Sequence, residues 1–423
     1  MPNSRTKILL IIPNLGRGGA QKVFHDQLKL YSKNYTTIAC VFNWDEAFTD
    51  DHELGIHSLD IPAGTTWVSK FISFWRRVAA LRKIKKKYNI DVCISHLEGA
   101  DYVNVLSKRR EKTICWIHGS KSFDKNISGV IGSIRKKIFI PFAYRLADQI
   151  VTVSEGIRHE LISNFSITST KTITLYNGFD LDEIDAKSAQ PLSPPYHELF
   201  DTKTILITHC RLSTQKNVNA LIDIFKYLND ESDLKLVILG DGELREELIH
   251  HSRKGKLQVY SGWESNTAFH TNYHIYFLGY ERNPYPFLQR SKLYLMTSSW
   301  EGFPLSLCEA MACNIPVLSS DCFTGPREII SPGLEKEQPI EQSVVCPYGI
   351  LMPLATPSHL AAWSETIQSV LGNEGLQHQL KKAGRERVLM FDKKKISLQW
   401  LSLVEQFRNA TTSKSADVTS EKE

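Results

Sequence analysis

One stretch of this sequence strongly restricts the fold. The apolar run 293–296 is followed by a short turn containing Gly302 and Pro304, and then by a stretch of helix formers to Cys313. Proline lacks an N–H group and favours the first position of a helix, so we expect the helix to begin at Pro304. A strand, a turn and a helix in this order are typical of a parallel sheet covered by helices.

Two carboxylates flank this predicted helix start. Glu301 lies in the turn, and Glu309 lies on the second helical turn. The free N–H groups and the positive dipole of a helix N-terminus favour a phosphate. A sugar nucleotide carries hydroxyl groups on both sides of a diphosphate and would fit this arrangement. On spacing alone, two such glutamates more often reflect an ordinary charge preference on a solvated helix face.

The same alternation of strand and helix signals occurs along the whole chain. The predicted strands are 8–12, 37–42, 92–95, 113–117, 150–153, 204–208, 234–239 and 275–278. Strands separated by amphipathic stretches predict parallel sheets with helices on both faces, which bind ligands beyond the carboxyl ends of the strands. A chain of 423 residues is long for one core, so we predict two domains.

Composition excludes several classes of protein. The formal net charge of +5 is small for 423 residues and does not indicate a nucleic-acid partner. The eight cysteines are scattered without a C-x-x-C pair, which is typical of buried thiols in a reducing compartment rather than a zinc site. The apolar run Ile8–Ile12 is too short for a membrane span and no cleavage site follows it. We therefore expect a cytoplasmic protein.

Three further patterns fall at predicted strand ends. Gly18 and Gly19 open a helix after the first strand, where they could approach a ligand or serve only a packing turn. His118 directly follows a strand, a position where a structural, hydrogen-bonded histidine is also common. Arg211 and Lys216 lie across a helix start and suit a diphosphate, because Arg offers a planar fork of donors and Lys a point charge.

The second half of the chain resembles a known family. The residues Glu-Gly-Phe-Pro-Leu-Ser-Leu-Cys-Glu-Ala-Met-Ala-Cys of 301–313, followed by Ile-Pro-Val and Gly-Pro-Arg-Glu at 325–328, are similar to the signature of the family-4 retaining glycosyltransferases. The resemblance runs from residue 8 to about 407 and is denser in the second half. It implies an α/β protein of the GT-B architecture, with two Rossmann-like domains and the active site in the cleft between them.

This resemblance sets the predicted domain organisation. We expect an N-terminal acceptor-binding domain at 1–188, a proline-bearing linker at 189–200, and a nucleotide-sugar-binding domain at 201–388. An amphipathic stretch at 389–408 is similar to the helix that crosses back to the first domain in the family. The remaining tail, 409–423, has almost no large apolar residues and is predicted to be disordered.

The resemblance also assigns roles. It implies that Glu301 and His118 orient the donor sugar, that Glu309 holds the ribose, and that the cations at 211 and 216 neutralise the leaving diphosphate. Cys210 and Asn217 stand where the family has glycines. The segment at 280–281 would pass the nucleobase. The implied catalytic residues are Glu301, His118, Arg211 and Lys216, and the implied donor-binding residues are Gly18, Gly19, Tyr280, Glu281, Gly302, Phe303, Pro304, Leu305, Ser306 and Glu309.

The expected activity follows from this resemblance. The protein would transfer a hexose or N-acetylhexosamine from a nucleoside diphosphate sugar, taken here as UDP-linked, to a glycan or lipid-linked glycan in lipopolysaccharide or capsule biosynthesis. It would need no cofactor and no metal. Asp180-Leu181-Asp182 spells the metal motif of another glycosyltransferase architecture, but it lies in a predicted loop. Glu301 is the candidate nucleophile that the motif offers, and we favour attack on the same face as the leaving group over a covalent glycosyl-enzyme.

Other classes stay open at this point. A sugar-nucleotide epimerase or a phosphorylase could share the GT-B layout, and an epimerase would act on the donor without an acceptor. An oxidoreductase is poorly supported, since the first glycine-rich loop lacks the G-x-G-x-x-G spacing. A non-catalytic sugar-nucleotide-binding protein is disfavoured by the complete set of charged motif residues.

A basic aromatic stretch bears on the acceptor. The segment 67–88 contains eight basic residues and no acidic one, with aromatic and aliphatic residues at helical spacing. This predicts an amphipathic helix of the kind that lies on anionic lipid. A second basic aromatic stretch follows at 135–142. The alternative is a surface helix with solvated lysines; the lipid interpretation would place the protein on the inner face of the plasma membrane.

Overall fold

The structure is a computed structural model that describes residues 5–16, 18–44, 55–124, 129–192, 194–228, 233–265, 267–334 and 338–420. The side chains of residues 130, 131 and 409–420 are outside this description. The chain forms two compact units. Residues 1–177 together with 394–423 form the first unit, and residues 178–393 form the second.

The first unit is built on a parallel sheet of seven strands. The strand order is β3-β2-β1-β4-β5-β6-β7. The strands are β1 Lys7–Ile12, β2 Thr36–Val41, β3 Ile56–Ser58, β4 Val92–His96, β5 Lys112–Ile117, β6 Gln149–Thr152 and β7 Thr172–Thr174. The helices are α1 Gly19–Asn34, α2 Trp67–Tyr88, α3 Glu98–Leu106, α4 Gly129–Ile134, α5 Ile140–Leu146 and α6 Glu155–Phe165.

Local sequence explains the bounds of α2. Thr66 caps its first turn by accepting from the backbone N–H of Ser69, whose hydroxyl bonds back to the Thr66 N–H, so two otherwise unpaired donors are satisfied. The helix ends at Asn89, which adopts the left-handed conformation with φ 54°. The predicted range 67–88 is therefore confirmed.

A π-helical segment joins α4 and α5. Residues Arg135–Phe139 form it, and the second predicted basic aromatic stretch thus becomes part of a continuous but irregular helical run. A π-helical turn inserts a residue and changes the direction in which the following side chains point.

The second unit is built on a sheet of eight strands. The order is β10-β11-β9-β8-β12-β13-β15-β14, and β14 alone pairs antiparallel to its neighbour. The strands are β8 Thr204–His209, β9 Leu234–Leu239, β10 Val259–Ser261, β11 Ile275–Gly279, β12 Leu293–Met296, β13 Val317–Ser320, β14 Val344–Cys346 and β15 Gly349–Met352. The helices are α7 Leu181–Ser188, α8 Tyr196–Thr202, α9 Val218–Lys226, α10 Arg245–Lys254, α11 Tyr285–Arg290, α12 Leu305–Ala312, α13 Pro326–Ile330, α14 Leu360–Leu371 and α15 Glu374–Val388.

The final helix returns to the first unit. This helix, α16, spans Lys393–Ser420. Trp400 is buried and lies edge-to-face against Trp116 of β5, with ring centroids 5.7 Å apart. Tyr31 of α1 donates a hydrogen bond to the Trp400 carbonyl, 3.5 Å away. The first unit is therefore completed by residues from the far end of the chain.

The domain boundaries differ from those predicted. The second unit begins at Gly178 rather than after the predicted linker, and part of that linker, 189–200, belongs to α8. The reason is packing: Asn283 before α11 donates to the Lys187 carbonyl at the end of α7, which fixes α7 to the second unit.

The tail predicted to be disordered, 409–423, falls largely on α16. The backbone of this helix is helical to Ser420, and no glycine or proline interrupts 409–420.

All eight cysteines are free thiols. Seven are buried and Cys210 is half-buried, in line with the expectation from their scattered positions in apolar runs.

Candidate active site

A buried ion pair lies where two strands of the second sheet end. Lys216 follows β8 and Glu301 follows β12, the neighbouring strand. The Lys216 Nζ lies 2.6 Å from the Glu301 Oε1, and the two side chains are 17% and 6% exposed. The sequence predicts both residues as site residues, and the structure brings them into direct contact.

Hydrogen bonds between the two loops fix this pair. The backbone N–H of Ser299 donates to the Gln215 carbonyl at 2.8 Å, and the Gln215 Nε2 donates to the Trp300 carbonyl at 2.8 Å and to the Glu301 Oε2 at 3.4 Å. The Thr297 hydroxyl donates to the Lys216 carbonyl at 3.2 Å. The Glu301 carboxylate therefore has a defined position before any ligand binds.

The pair keeps Lys216 charged. Burial by itself would lower the pKa of Lys216, but the Glu301 carboxylate more than offsets this, and the pKa is raised. Lys216 is thus a cation at any physiological pH. Removing either partner would leave the other as an uncompensated buried charge, which is strongly destabilising.

Close packing shapes the turn that carries Glu301. Gly325 has a φ of +85°, and a Cβ there would lie 2.7 Å from the Gly302 carbonyl oxygen and 2.8 Å from the Pro304 Cδ. The Thr324 hydroxyl donates to the Glu301 carbonyl. Only glycine permits this approach. The glycine of the Gly-Pro-Arg-Glu segment therefore holds the Glu301 turn in place, a role that spacing alone could not indicate.

The α12 helix carries the second glutamate. It begins at Leu305 and Pro304 is its N-cap, so the helix starts one residue later than predicted. Glu309 is buried on the second turn. The Tyr285 hydroxyl donates to its Oε1 at 3.4 Å, and the His209 Nδ1 lies 3.7 Å from its Oε2. Tyr285 and His209 were not singled out from the sequence, because they belong to different strand–helix units.

Arg211 lies apart from the buried pair. Its guanidinium contacts Glu243 at 3.1 Å, and its side chain is 65% exposed. The loop position follows from glycine packing, since a Cβ at Gly242 would lie 2.3 Å from the Leu212 carbonyl oxygen. The structure therefore pairs Arg211 with Glu243 on the surface, whereas the sequence-based expectation places it beside Lys216 on a diphosphate.

The predicted nucleobase segment follows β11. Gly279 has a φ of +82° and accepts, through its carbonyl, a 2.7 Å hydrogen bond from the Gly240 N–H. Tyr280 is about half exposed, and partial burial raises the pKa of Glu281. These two residues leave the sheet at the carboxyl end of a strand, which is where open α/β sheets bind ligands.

A histidine pair occupies the corresponding strand ends of the first sheet. The His118 Nε2 lies 2.9 Å from the Nδ1 of His96, and the His96 Nε2 lies 3.1 Å from the Gln27 Oε1. The Gln27 oxygen can only accept, so His96 donates to it and accepts from His118. This leaves the Nδ1 of His118 as an acceptor. Burial, with Lys121 nearby, lowers the pKa of His118 to about 3, so this histidine is neutral.

The glycine-rich loop of the first unit is described in part. Gly18 is the N-cap of α1 and Gly19 is its first residue. Gly18 has extended backbone angles. Arg17, which directly precedes Gly18, lies outside the described residues.

Family comparisons cover both units. The glycosyl transferases group 1 model matches residues 190–387, and the Glycosyltransferase Family 4 model matches residues 17–183. An uncharacterized glycosyltransferase of Methanocaldococcus jannaschii is 28% identical over 411 residues, which cover 90% of this chain and 95% of that protein. A solved structure of Anabaena HepE in complex with UDP has a TM-score of 0.72 at 16% identity, covering 95% of this chain and all of the other.

The chain is a glycosyltransferase with the GT-B fold.

Another relative of this glycosyltransferase has a more specific name. The N-acetylgalactosamine-N,N'-diacetylbacillosaminyl-diphospho-undecaprenol 4-alpha-N-acetylgalactosaminyltransferase of Campylobacter jejuni is 26% identical, over 92% of this chain and 97% of that protein. Relatives of the glycosyltransferase also include a Staphylococcus aureus capsular polysaccharide biosynthesis glycosyltransferase, 26% identical over 74% of this chain and 81% of that protein. One relative is thus named for an acceptor linked to diphospho-undecaprenol and another for capsular polysaccharide biosynthesis.

Three further observations concern the glycosyltransferase. Asp180 of the Asp-x-Asp sequence caps α7, its Oδ1 accepting from the Glu183 N–H at 3.0 Å. Among the residues that the structure describes, no three His, Cys, Asp or Glu side chains are grouped to hold a metal ion. No helix in those ranges combines the length and apolar character that spanning a bilayer requires.

Proposed function

We propose that this glycosyltransferase transfers a hexose or an N-acetylhexosamine from a UDP-sugar to a lipid-linked glycan, with retention at the anomeric carbon. The buried ion pair of Lys216 and Glu301 carries the proposal. It lies just before the start of α12, the helix that also bears Glu309. One short segment, 301–309, thereby holds two carboxylates for hydroxyl groups, and Lys216 from the loop after β8 brings a cation for a leaving diphosphate against the first of them.

Donor binding would use both ends of this segment. Glu309 keeps its carboxylate oriented through Tyr285 and His209, and it would accept hydrogen bonds from the ribose hydroxyls. The diphosphate would bind the free N–H groups at the start of α12, next to Lys216. Tyr280 and Glu281 would contact the base. Solved structures of HepE with UDP and with UDP-glucose support the uridine nucleotide for this fold.

The leaving group would depart toward fixed positive charge. As the bond between the anomeric carbon and the diphosphate oxygen breaks, negative charge grows on the diphosphate. Lys216 and the N–H groups of α12 would stabilise it, and such stabilisation is worth several kcal/mol. Arg211 would add its charge if it exchanged Glu243 for the diphosphate, a change that its exposed side chain permits.

The state of Glu301 favours the same-face route. Its carboxylate is bound by Lys216 at 2.6 Å and by Gln215 at 3.4 Å. A carboxylate held by a cation and an amide is a weaker nucleophile than a free one, because its lone pairs are engaged. We therefore propose that Glu301 binds sugar hydroxyls and that the acceptor attacks on the face that the leaving group vacates. His118 of the first unit is proposed as a further sugar contact, with its Nδ1 as the acceptor.

The two glutamates can be separated by experiment. Glu309→Gln should weaken the binding of UDP by roughly tenfold to a hundredfold, the effect of losing charged hydrogen bonds. Glu301→Gln should leave UDP binding intact and abolish sugar transfer. Calorimetry with UDP, a transfer assay with a panel of UDP-sugars, and the exposed Glu246→Gln as control would measure this. Equal loss of UDP binding in both variants would contradict the roles.

The same assay addresses the reaction class. The expected product is an α-linked sugar from an α-linked donor, which NMR of the product distinguishes from the inverted linkage. Turnover of the donor that does not depend on an acceptor would instead indicate an epimerase or a hydrolase. Activity should persist in excess chelator, since protein cations are proposed to hold the diphosphate.

The names of two relatives and the exposed side chains of α2 support a lipid-linked acceptor. Two Campylobacter jejuni relatives are named for undecaprenol diphosphate-linked acceptors. In α2, Trp67 is 74% exposed and Phe71 is 66% exposed, and Trp75 is also exposed. Large apolar side chains on a basic helix favour an anionic lipid surface. We therefore propose that α2 binds the inner face of the plasma membrane reversibly.

Co-sedimentation with anionic vesicles tests whether α2 binds an anionic membrane surface. The variant with Arg76, Arg77, Arg82 and Lys83 changed to Gln should be recovered less than wild type, since each basic residue near such a surface contributes about 1 kcal/mol. High salt should release wild type. Arg77 also donates to the Ile61 carbonyl at 2.6 Å, so a second variant changes only the other three residues. Equal recovery of all proteins would mean that α2 is an ordinary solvated helix.

A further inference from the structure

A second concave site lies in the first unit, on the helical run that contains the π-helical segment. It is an open cavity of about 350 Å³. Its lining includes three cationic and three uncharged polar side chains: Lys136, Lys137, Arg145, Ser122, Asn164 and Ser166. No carboxylate is part of this lining. An anion is therefore the ligand class that the cavity favours.

Two acids lie near the cavity, and neither lines it. Glu98 accepts from Arg135 at 2.7 Å and lies 3.3 Å from the Lys121 Nζ, so its carboxylate is engaged outside the cavity. Glu160 accepts from the backbone N–H of Lys121 at 2.7 Å. Within the described part of the chain, no carboxylate forms an ion pair with Lys137 or Arg145. Unpaired cations of this kind attract phosphate groups strongly.

The π-helical segment arranges these side chains. Within five residues it directs Arg135 to Glu98 while Lys136 and Lys137 line the cavity. The Lys136 Nζ donates to the Ser122 carbonyl at 2.6 Å, which fixes one cation at the cavity wall. Segments of π-helix occur often at functional sites, since the inserted residue is otherwise a cost in helix geometry.

Apolar side chains interleave with these cations in the sequence. Ile138, Phe139 and Phe142 are exposed, while Pro141 between them lines the cavity. A ligand with a phosphate head and a long hydrocarbon chain would satisfy both features, because its head would meet the cations and its chain the apolar residues. A nucleotide or a free sugar would leave the apolar residues in water.

We propose that this cavity binds the diphosphate of a polyprenyl-linked acceptor. The proposal rests on the proposed function, in which the acceptor is a lipid-linked glycan, and names the part of the acceptor that the first unit recognises. Three cations match the charge of a diphosphate group better than that of a single phosphodiester. The sugar portion of the acceptor is then free to extend away from the membrane.

Calorimetry on the full chain with farnesyl diphosphate as the probe tests the proposal. The double variant Lys137→Gln/Arg145→Gln should bind it at least roughly tenfold more weakly than wild type, since each lost charged hydrogen bond has about this effect. The matched control is Arg109→Gln/Arg110→Gln, which removes two exposed cations near the amino end of β5 and should bind as wild type does.

Further probes distinguish the sources of phosphate. Inorganic diphosphate and dihexanoyl phosphatidylglycerol should both bind more weakly than farnesyl diphosphate. If inorganic diphosphate binds as well as farnesyl diphosphate, the cavity is an anion site with no lipid specificity. If dihexanoyl phosphatidylglycerol binds as well, the cavity is a site for phospholipid headgroups. Either result overturns the proposal. Equal binding of farnesyl diphosphate by both double variants overturns it as well.

A UDP titration separates this proposal from the proposed function. The double variant should bind UDP as wild type does, because its substitutions lie in the first unit. If wild type bound farnesyl diphosphate at the cavity but transferred no sugar from any UDP-sugar, the proposed function would fail while the cavity assignment stood.

Discussion

Two buried carboxyl groups of this glycosyltransferase, one in each unit, are stabilised in different ways. In the second unit, Glu301 is charged and paired with the Lys216 ammonium at 2.6 Å. In the first unit, Asp101 on α3 accepts from the hydroxyls of Ser95 and Tyr144 and forms no ion pair with any residue that the structure describes. Burial raises the pKa of Asp101 to about 8, so this residue is mainly protonated at neutral pH. Glu301 therefore keeps its charge where an anion would bind, whereas Asp101 is kept neutral inside the core of the first unit.

Two pairs of cations, one pair in each unit, differ in a similar way. Lys216 and Arg211 of the second unit each contact a carboxylate. Lys137 and Arg145 of the first unit contact none in the described ranges. An anion that binds beside Lys216 or Arg211 must compete with a resident carboxylate, whereas an anion that binds beside Lys137 and Arg145 meets available charge. Competition with a resident carboxylate favours selectivity for a ligand with well-placed hydroxyls. Available cations favour rapid capture of an anion.

The largest effect is expected for Lys216. The Lys216→Ala variant should transfer sugar much more slowly, because the leaving diphosphate loses its fixed cation. The expected loss of transition-state stabilisation is about 2–4 kcal/mol. It should also unfold at a lower temperature, since Glu301 is left as an uncompensated buried charge. Steady-state kinetics and thermal melts check this. Lys203→Ala, which removes a cation paired with the exposed Asp233, is the control and should behave as wild type. Full activity in Lys216→Ala would remove the basis of the site.

A smaller effect is expected for Arg211 and its partner. Arg211→Ala should weaken UDP binding less than tenfold, because its guanidinium is exposed and must first leave Glu243. Glu243→Gln should bind UDP at least as tightly as wild type, since it releases Arg211. Competition binding with a fluorescent nucleotide would show both. A loss in Arg211→Ala as large as in Lys216→Ala would mean that the two cations act together on the diphosphate, as the sequence pattern suggests.

A separate effect, on stability rather than on activity, concerns the dependence of stability on pH. Because the folded state keeps Asp101 protonated up to about pH 8 and the unfolded state releases that proton near the ordinary aspartate pKa, this residue destabilises the fold increasingly as pH rises between these values. Asp101→Asn should therefore melt at a higher temperature than wild type, by a margin that grows from pH 5 to pH 8. Asp91→Asn near the start of β4 is the control. A constant margin across pH would show that Asp101 is ionised in the folded protein.

Much of the fold could be predicted from sequence, because buried parallel strands are short apolar runs. The bounds of α2 and β9 agree with the predicted ranges, and most other strand bounds differ by one residue. The first domain boundary was wrong because α7 follows the first sheet in sequence but packs against α11 and α12 of the second unit. Local sequence does not record which of two sheets a connecting helix covers.

The site shows the same limit. Motif resemblance identified Lys216 and Glu301 separately. These two residues are 85 positions apart in the sequence, and they meet because β8 and β12 are neighbours in the sheet. His96, which contacts His118, and Gln27, which contacts His96, were missed because they come from β4 and α1 and carry no local pattern. Arg211 was assigned by spacing to the diphosphate, whereas glycine packing at 240 and 242 sets its loop beside Glu243.

The return of α16 to the first sheet has a consequence for the synthesis of the chain on the ribosome. The residues of the first sheet are complete at 177, yet Trp400, which covers Trp116 and receives the Tyr31 hydroxyl, is made only after the entire second unit. At typical translation rates of roughly 5 to 20 residues per second, the nascent first sheet waits for about 10 to 40 s with this face uncovered. The second unit, being continuous in sequence, can fold during that interval, so the part of the chain made first is the part finished last.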